Sequence, residues 1–243
     1  RRAVRAVIAF AVLLGFAVSP AIGQSHALAA KRVRILFIGN SYTYFNDLPG
    51  TLQAMAKAGN VAVEVRSVVA GGATLEQHWN ERGTVDLIRR GAWDFVVLQE
   101  QSLLPIQRPR DLITYGTHFG KVIRASKARP VLYLTWSRKG RPTAQDSLNR
   151  AYLQLAREIG ATIVPVGPAW RELERLDGSV DLYAEDGSHP SPLGSLVAAS
   201  AFHRVLFGTL PTASFAAGAA ATPRTLALVQ RAVEAAVARI PSR

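Results

Sequence analysis

The chain has no cysteine among its 243 residues. That absence excludes a disulfide framework, a thiolate metal site and a cysteine nucleophile together. Charged residues are sparse at 19%, against 49% hydrophobic ones, a balance too apolar for a disordered chain. Acids are the scarcer sign: 17 Asp and Glu face 29 Lys and Arg, a formal net charge of +12. With 19 Gly and 13 Pro, the composition is neither collagen-like nor of low complexity. No Gly-x-Gly-x-x-Gly or Walker sequence follows any apolar run, so the signatures of dinucleotide and nucleotide binding are missing. No internal repeat or Pro/Ser-rich linker divides the chain, and its length suits one large domain with a sizeable core.

The basic surplus is scattered. Lys31, Arg32 and Arg34 flank an apolar run, Arg89 and Arg90 close a helical one, and the Arg138–Arg141 segment reads as a loop. Nucleic-acid binders concentrate cations on one face or interleave them with aromatics, so no nucleic-acid partner is expected. Attraction to anionic surfaces or polysaccharide fits this distribution better. At the start of the chain, Arg1, Arg2 and Arg5 precede an apolar run from Ala6 to Val18. Ser19-Pro20 breaks it, and the small residues Ala21-Ile22-Gly23 and Ala27-Leu28-Ala29 follow. This is the layout of a secretory signal peptide, and the run is short of the ~20 residues of a membrane-spanning helix. Residues 1–30 are therefore expected to be a signal peptide and leader and residues 31–243 the domain, periplasmic or secreted and without stable membrane insertion.

Five apolar, β-branched runs recur: Val33–Ile38, Val61–Val69, Phe95–Leu98, Val131–Trp136 and Thr162–Val166. Near-continuous runs of this length suit strands buried on both faces of a parallel sheet. Helical spacing fills the intervals. Leu148, Tyr152, Leu155, Ala156 and Ile159 form one stripe over Ala144–Ile159, which Gly160 ends. Arg110–Ala128 carries another through Leu112, Ile113, Phe119, Val122 and Ile123. Pro192 opens a helix that runs to Gly208, and Thr222-Pro223 caps a last one, with Thr209–Ala221 as a surface connector. Strand–helix alternation of this kind specifies an α/β domain with right-handed crossovers.

Ligands of parallel α/β sheets bind at the carboxyl ends of the strands, so the chemistry is sought there. The first strand ends in Gly39-Asn40-Ser41, where Ser41 is either a nucleophile or a helix cap. The second ends in Gly71-Gly72-Ala73-Thr74, either a plain turn or a place where backbone N–H groups face a ligand. The third ends in Gln99-Glu100-Gln101-Ser102, an exposed loop or a set of donors aimed at a site. Near the C-terminus, Asp186-Gly187-Ser188-His189 lies in a turn stiffened by Pro190 and Pro192. An Asp three residues before a His lets one loop present the orienting carboxylate and the base of a triad. His78, His118 and His203 sit on helical stretches without an acidic partner at that spacing, and His26 falls in the leader, which leaves His189 as the best base.

Taken in order, these four blocks resemble the SGNH hydrolase superfamily, the GDSL-like serine esterases, over most of the chain from about Val33 to about Gly208. The resemblance implies a flavodoxin-like three-layer αβα sandwich around a central five-stranded parallel sheet. It also implies Ser41 as nucleophile, His189 as general base and Asp186 as orienting acid. The oxyanion hole would combine the Ser41 and Gly72 amides with a carboxamide. Two departures stand out. Asn40 replaces the aspartate of Gly-Asp-Ser, as in some subgroups, and the third block lacks the asparagine of Gly-x-Asn-Asp. Gln101, or else Gln99, is left to supply that donor, and both fall on one side of an extended strand. No metal or cofactor is required.

The expected activity is hydrolysis of short acyl esters, acetyl above all, on carbohydrate, because no long apolar insertion offers a lid or lipid funnel. Trp79, Trp136 and Tyr44 are candidates for a sugar-stacking wall, with core packing as the alternative for the two tryptophans. A lipid esterase or thioesterase, and a catalytically silent glycan-binding module of the same fold, are the competing readings.

Overall fold

A computed structural model describes residues 32–211 and 221–241. The expected leader and most of the connector at 209–221 lie outside them. The sheet has five strands: β1 (Val33–Gly39), β2 (Val63–Val69), β3 (Phe95–Leu98), β4 (Arg129–Leu134) and β5 (Thr162–Pro165). They pair in parallel in the order β2-β1-β3-β4-β5.

Successive strand residues face opposite sides of a sheet, and the two sides here meet separate cores. Ile35, Phe37, Val97, Val131, Tyr133 and Val164 pack on one face. The helices on that face are α2 (Leu48–Ala58), α8 (Val166–Leu176), α9 (Pro192–Phe207) and α10 (Pro223–Ala238). Leu36, Ile38, Val96, Leu98, Leu132 and Ile163 pack on the other. That face carries α3 (Leu75–Asn80), α4 (Arg82–Arg90), α6 (Pro109–Ala125) and α7 (Ala144–Ile159). The result is the expected three-layer αβα sandwich. Two short helices, α1 (Ser41–Tyr44) and α5 (Leu104–Gln107), lie in the loops after β1 and β3.

The helix over Ala144–Ile159 has the bounds its stripe dictates, and Gly160 ends it in the left-handed conformation. Other expectations need correction. β2 is an edge strand with Arg66 and Ser67, on opposite faces, both exposed, so its apolar run is not buried on both faces as a central strand's would be. β4 begins two residues earlier and stops at Leu134, since Arg129 stacks its guanidinium 3.9 Å from the Phe95 ring and so continues the ladder. α6 stops at Ala125, and Lys127 turns left-handed.

The strand order sets the site. The chain leaves β1 toward β2 on one side and returns to β3 on the other, so the loops after β1 and β3 diverge and open a crevice between them.

Candidate active site

Three strand-end loops and one C-terminal turn build the site. Gly39 closes β1 where a side chain has no room: a Cβ there would stand 2.6 Å from Gln99 Oε1 and 2.7 Å from Thr43 Oγ1. Asn40 follows as the N-cap of α1, its Oδ1 accepting from the Tyr42 amide at 3.1 Å. Ser41 is thereby the first residue of a helix, and its N–H has no acceptor among the described residues.

His189 reaches Ser41 from 148 residues away, Nε2 lying 2.8 Å from Oγ. Its Nδ1 meets Asp186 Oδ2 in a short contact, while Asp186 Oδ1 accepts the Ser188 and His189 amides, each at 2.9 Å. The carboxylate is thus held by the backbone of its own turn as well as by the imidazole. These hydrogen bonds, that to His189 first, hold the Asp186 carboxyl down at about 2. An anionic Asp186 accepting from Nδ1–H leaves Nε2 to accept the Ser41 proton, so hydroxyl, imidazole and carboxylate stand in hydrogen-bonded series.

Gly72 occupies the turn after β2 with φ +67°, a conformation that favours glycine, and the Ala73 amide closes that turn on Ala70 O. The Gly72 N–H has no acceptor among the described residues. Asn40 Nδ2 donates to Ala73 O at 2.9 Å and so ties this turn to the serine's loop.

The two glutamines separate cleanly. β3 ends at Leu98, and the residues beyond it do not continue as an extended strand with both side chains on one side. Gln99 is fully buried. Its Oε1 accepts from the Asn40 amide and Thr43 Oγ1, and its Nε2 donates to Asn40 Oδ1 and to Glu100 O. Both ends of that carboxamide are consumed. Gln101 uses only its oxygen, which accepts the Leu103 and Leu104 amides at 2.8 and 3.2 Å ahead of α5. Among the described residues nothing accepts from its Nε2.

The aromatic wall also needs correction. Trp136 is buried, stacked between Tyr42 at 4.6 Å and Trp170 at 4.0 Å. Trp79 packs against His118 and Phe119. Only Tyr44 is exposed, with its hydroxyl beside Gly71.

Sequence reasoning gave no individual role at the site to several residues that surround it. Phe45 stacks on the His189 ring at 4.5 Å, and the hydroxyls of Tyr42 and Ser188 lie 2.7 Å apart. His78 is buried with Nε2 2.7 Å from Gly39 O, bracing the end of β1. Glu100 is buried, and its Oε1 accepts the Leu75 and Gln101 amides. Burial pushes its carboxyl up to about 7 against those two amides, which pull the other way. None of these had a signal beyond residue type. Among the described residues, no group of three His, Asp or Glu is placed to hold a metal ion, and no helix is long and apolar enough to cross a membrane.

No family model matches the chain, and no curated protein matches it. Solved structures do. A candidate SGNH hydrolase from Slackia heliotrinireducens is 31% identical over 72% of this chain and 100% of its own, with a TM-score of 0.62. A DUF4886 family protein from Bacteroides uniformis ATCC 8492 is 17% identical, covers 86% of this chain and 96% of its own, and has a TM-score of 0.68. A mutant acetyl-xylooligosaccharide esterase from Geobacillus Stearmophilus is 20% identical over 72% and 94%, with a TM-score of 0.52. The last two are likenesses of fold.

Proposed function

This chain belongs to the SGNH hydrolases, and from that premise we propose that it is an exported serine esterase that removes short acyl groups, acetyl above all, from carbohydrate. The observation that carries the reading is the 2.8 Å approach of His189 Nε2 to Ser41 Oγ with Asp186 on the far nitrogen. Ser41 Oγ attacks the ester carbonyl as His189 takes its proton. The oxyanion is met by the Ser41 and Gly72 amides and by Gln101 Nε2. His189 then returns the proton to the departing alcohol, leaving an acyl-serine. Water, deprotonated by His189, attacks that ester and releases the carboxylic acid and the free serine.

A short acyl group is supported by the absence of a long apolar insertion between strands that could form a lid or lipid funnel. Export rests on the basic and apolar residues at 1–30. The carbohydrate assignment rests on the scattered basic charge and on the absence of a long apolar insertion between strands.

A p-nitrophenyl ester series tests the reading. Turnover highest with acetate, together with acetate release from acetylated xylo-oligosaccharide, is the expected result. A maximum at long chains would make the protein a lipid esterase or thioesterase. No turnover with any ester would make it a silent binding module.

A further inference from the structure

The serine's own segment grips the base's turn on both sides. Tyr42 holds Ser188 through their hydroxyls, and Phe45 covers the face of His189. Asn46 Nδ2 donates to Pro190 O and to Ser195 Oγ, both at 2.9 Å. Residues 42, 45 and 46 thus meet 188, 189 and 190 in order. Tyr42 has a second reason to be where it is, since it is buried and stacked on Trp136. Asn46 has none of that kind: it is exposed, and core packing does not account for it.

Its backbone is unusual. Asn46 has φ 51° and Asp47 φ 49°, two successive non-glycine residues in the left-handed region. Asp47 has a local role there as the N-cap of α2, accepting from the Gly50 amide. The one consequence of the Asn46 conformation visible in the structure is that its carboxamide reaches the carbonyl next to His189 and the first turn of α9.

We propose that Asn46 is a positioning residue that fixes His189 relative to Ser41, through a tie from the serine's segment to Pro190 that bypasses the sheet. The proposal rests on the reading of Ser41 and His189 as nucleophile and base. The rest of the molecule holds the turn from its other side, through Trp136 Nε1 on Ser188 O and the Lys139 amide on Gly187 O. Those bonds place the turn against the segment after β4, whose Trp136 stacks on Tyr42, so the Asn46 tie acts beside the Tyr42–Ser188 contact in setting the turn's distance from the segment that carries Ser41.

Asn46→Gly is the decisive variant, because glycine adopts the left-handed turn readily and removes only the two donors. Asn46→Asp keeps size and tolerance of the turn but presents an acceptor to the Pro190 carbonyl. Misplacement of a reacting group by about 1 Å lowers rate by about 10²-fold. Both variants are therefore expected to keep their melting temperature within a few degrees. With p-nitrophenyl acetate, kcat should fall about 10- to 100-fold while KM stays within about threefold, and labelling by a serine-directed phosphonate should slow in parallel. Ser195→Ala, which spares the Pro190 bond, should lose less than about threefold. Parental kcat in Asn46→Gly would overturn the proposal. So would a loss in Ser195→Ala equal to that in Asn46→Gly, which would place the effect in α9 instead. Ser41→Ala run alongside separates the two claims. If it stays active, the serine reading fails; if it is dead while Asn46→Gly is fully active, the tie alone fails.

Discussion

Asn40 and Gln99 bind each other in both directions: the Asn40 amide donates to Gln99 Oε1 and Gln99 Nε2 donates to Asn40 Oδ1, each at 2.9 Å. Because Asn40 also holds Ala73 O, this buried pair joins the loops after β1, β2 and β3. It fixes where Ser41 and Gly72 stand, with both side chains buried and paired.

The two glutamines should therefore fail differently. Gln99→Ala leaves buried partners unpaired and is expected to lower unfolding free energy by about 2–4 kcal/mol. Gln101→Ala should leave stability within about 1 kcal/mol and lower kcat by about 10²–10³-fold, the loss typical of one oxyanion donor. Denaturant unfolding and steady-state kinetics on both variants check this. A reversal of the two patterns would move the donor role to Gln99.

Asp186→Asn should lower kcat by about 10²–10⁴-fold, because the amide no longer holds the imidazole in the tautomer that accepts from Ser41. The same carboxylate has a pH signature. Its folded value of about 2 lies below the ordinary 3.8, so its contribution to stability is complete above about pH 4 and lost as pH falls toward 2. Thermal unfolding between pH 5 and 2.5 should show the parent losing more stability than Asp186→Asn. The difference should be small, since half the side chain is in solvent.

Glu100 gives the opposite slope. Its folded value of about 7 lies above the ordinary 4.5, so the folded state keeps a proton that the unfolded chain releases between those values. Stability should then fall as pH rises from about 4.5 to 7, by up to about 3 kcal/mol, and level off above. Glu100→Gln keeps an acceptor for the Leu75 and Gln101 amides but does not titrate. Its unfolding free energy between pH 5 and 8 should lack that slope, whatever its absolute level.

Legibility tracked how local the physics was. Ala144–Ile159 and its glycine stop follow from spacing within one helix, and the Asp186–His189 turn needs only three residues and two prolines. The edge position of β2 depends on strand order, so its apolar run looked like that of a central strand. Gln99 is consumed mainly by Asn40 and Thr43, more than 50 residues away across the crevice, a set of partners that no local pattern encodes and that distinguishes it from Gln101. Trp136 closes an apolar run but packs beyond the strand end, between Tyr42 and Trp170. Phe45 and Asn46 carry no local signal, because their partners lie some 144 residues away. The expected leader at 1–30 falls outside the described residues.

The central claim is that Ser41 is the nucleophile and that His189 activates it. The most direct measurement is labelling with a serine-directed phosphonate followed by peptide mass mapping of the parent, Ser41→Ala and His189→Ala proteins. The account predicts one adduct, on the peptide that carries Ser41, absent from Ser41→Ala and formed far more slowly in His189→Ala. An adduct on a different serine, or labelling of His189→Ala at the parental rate, would contradict it.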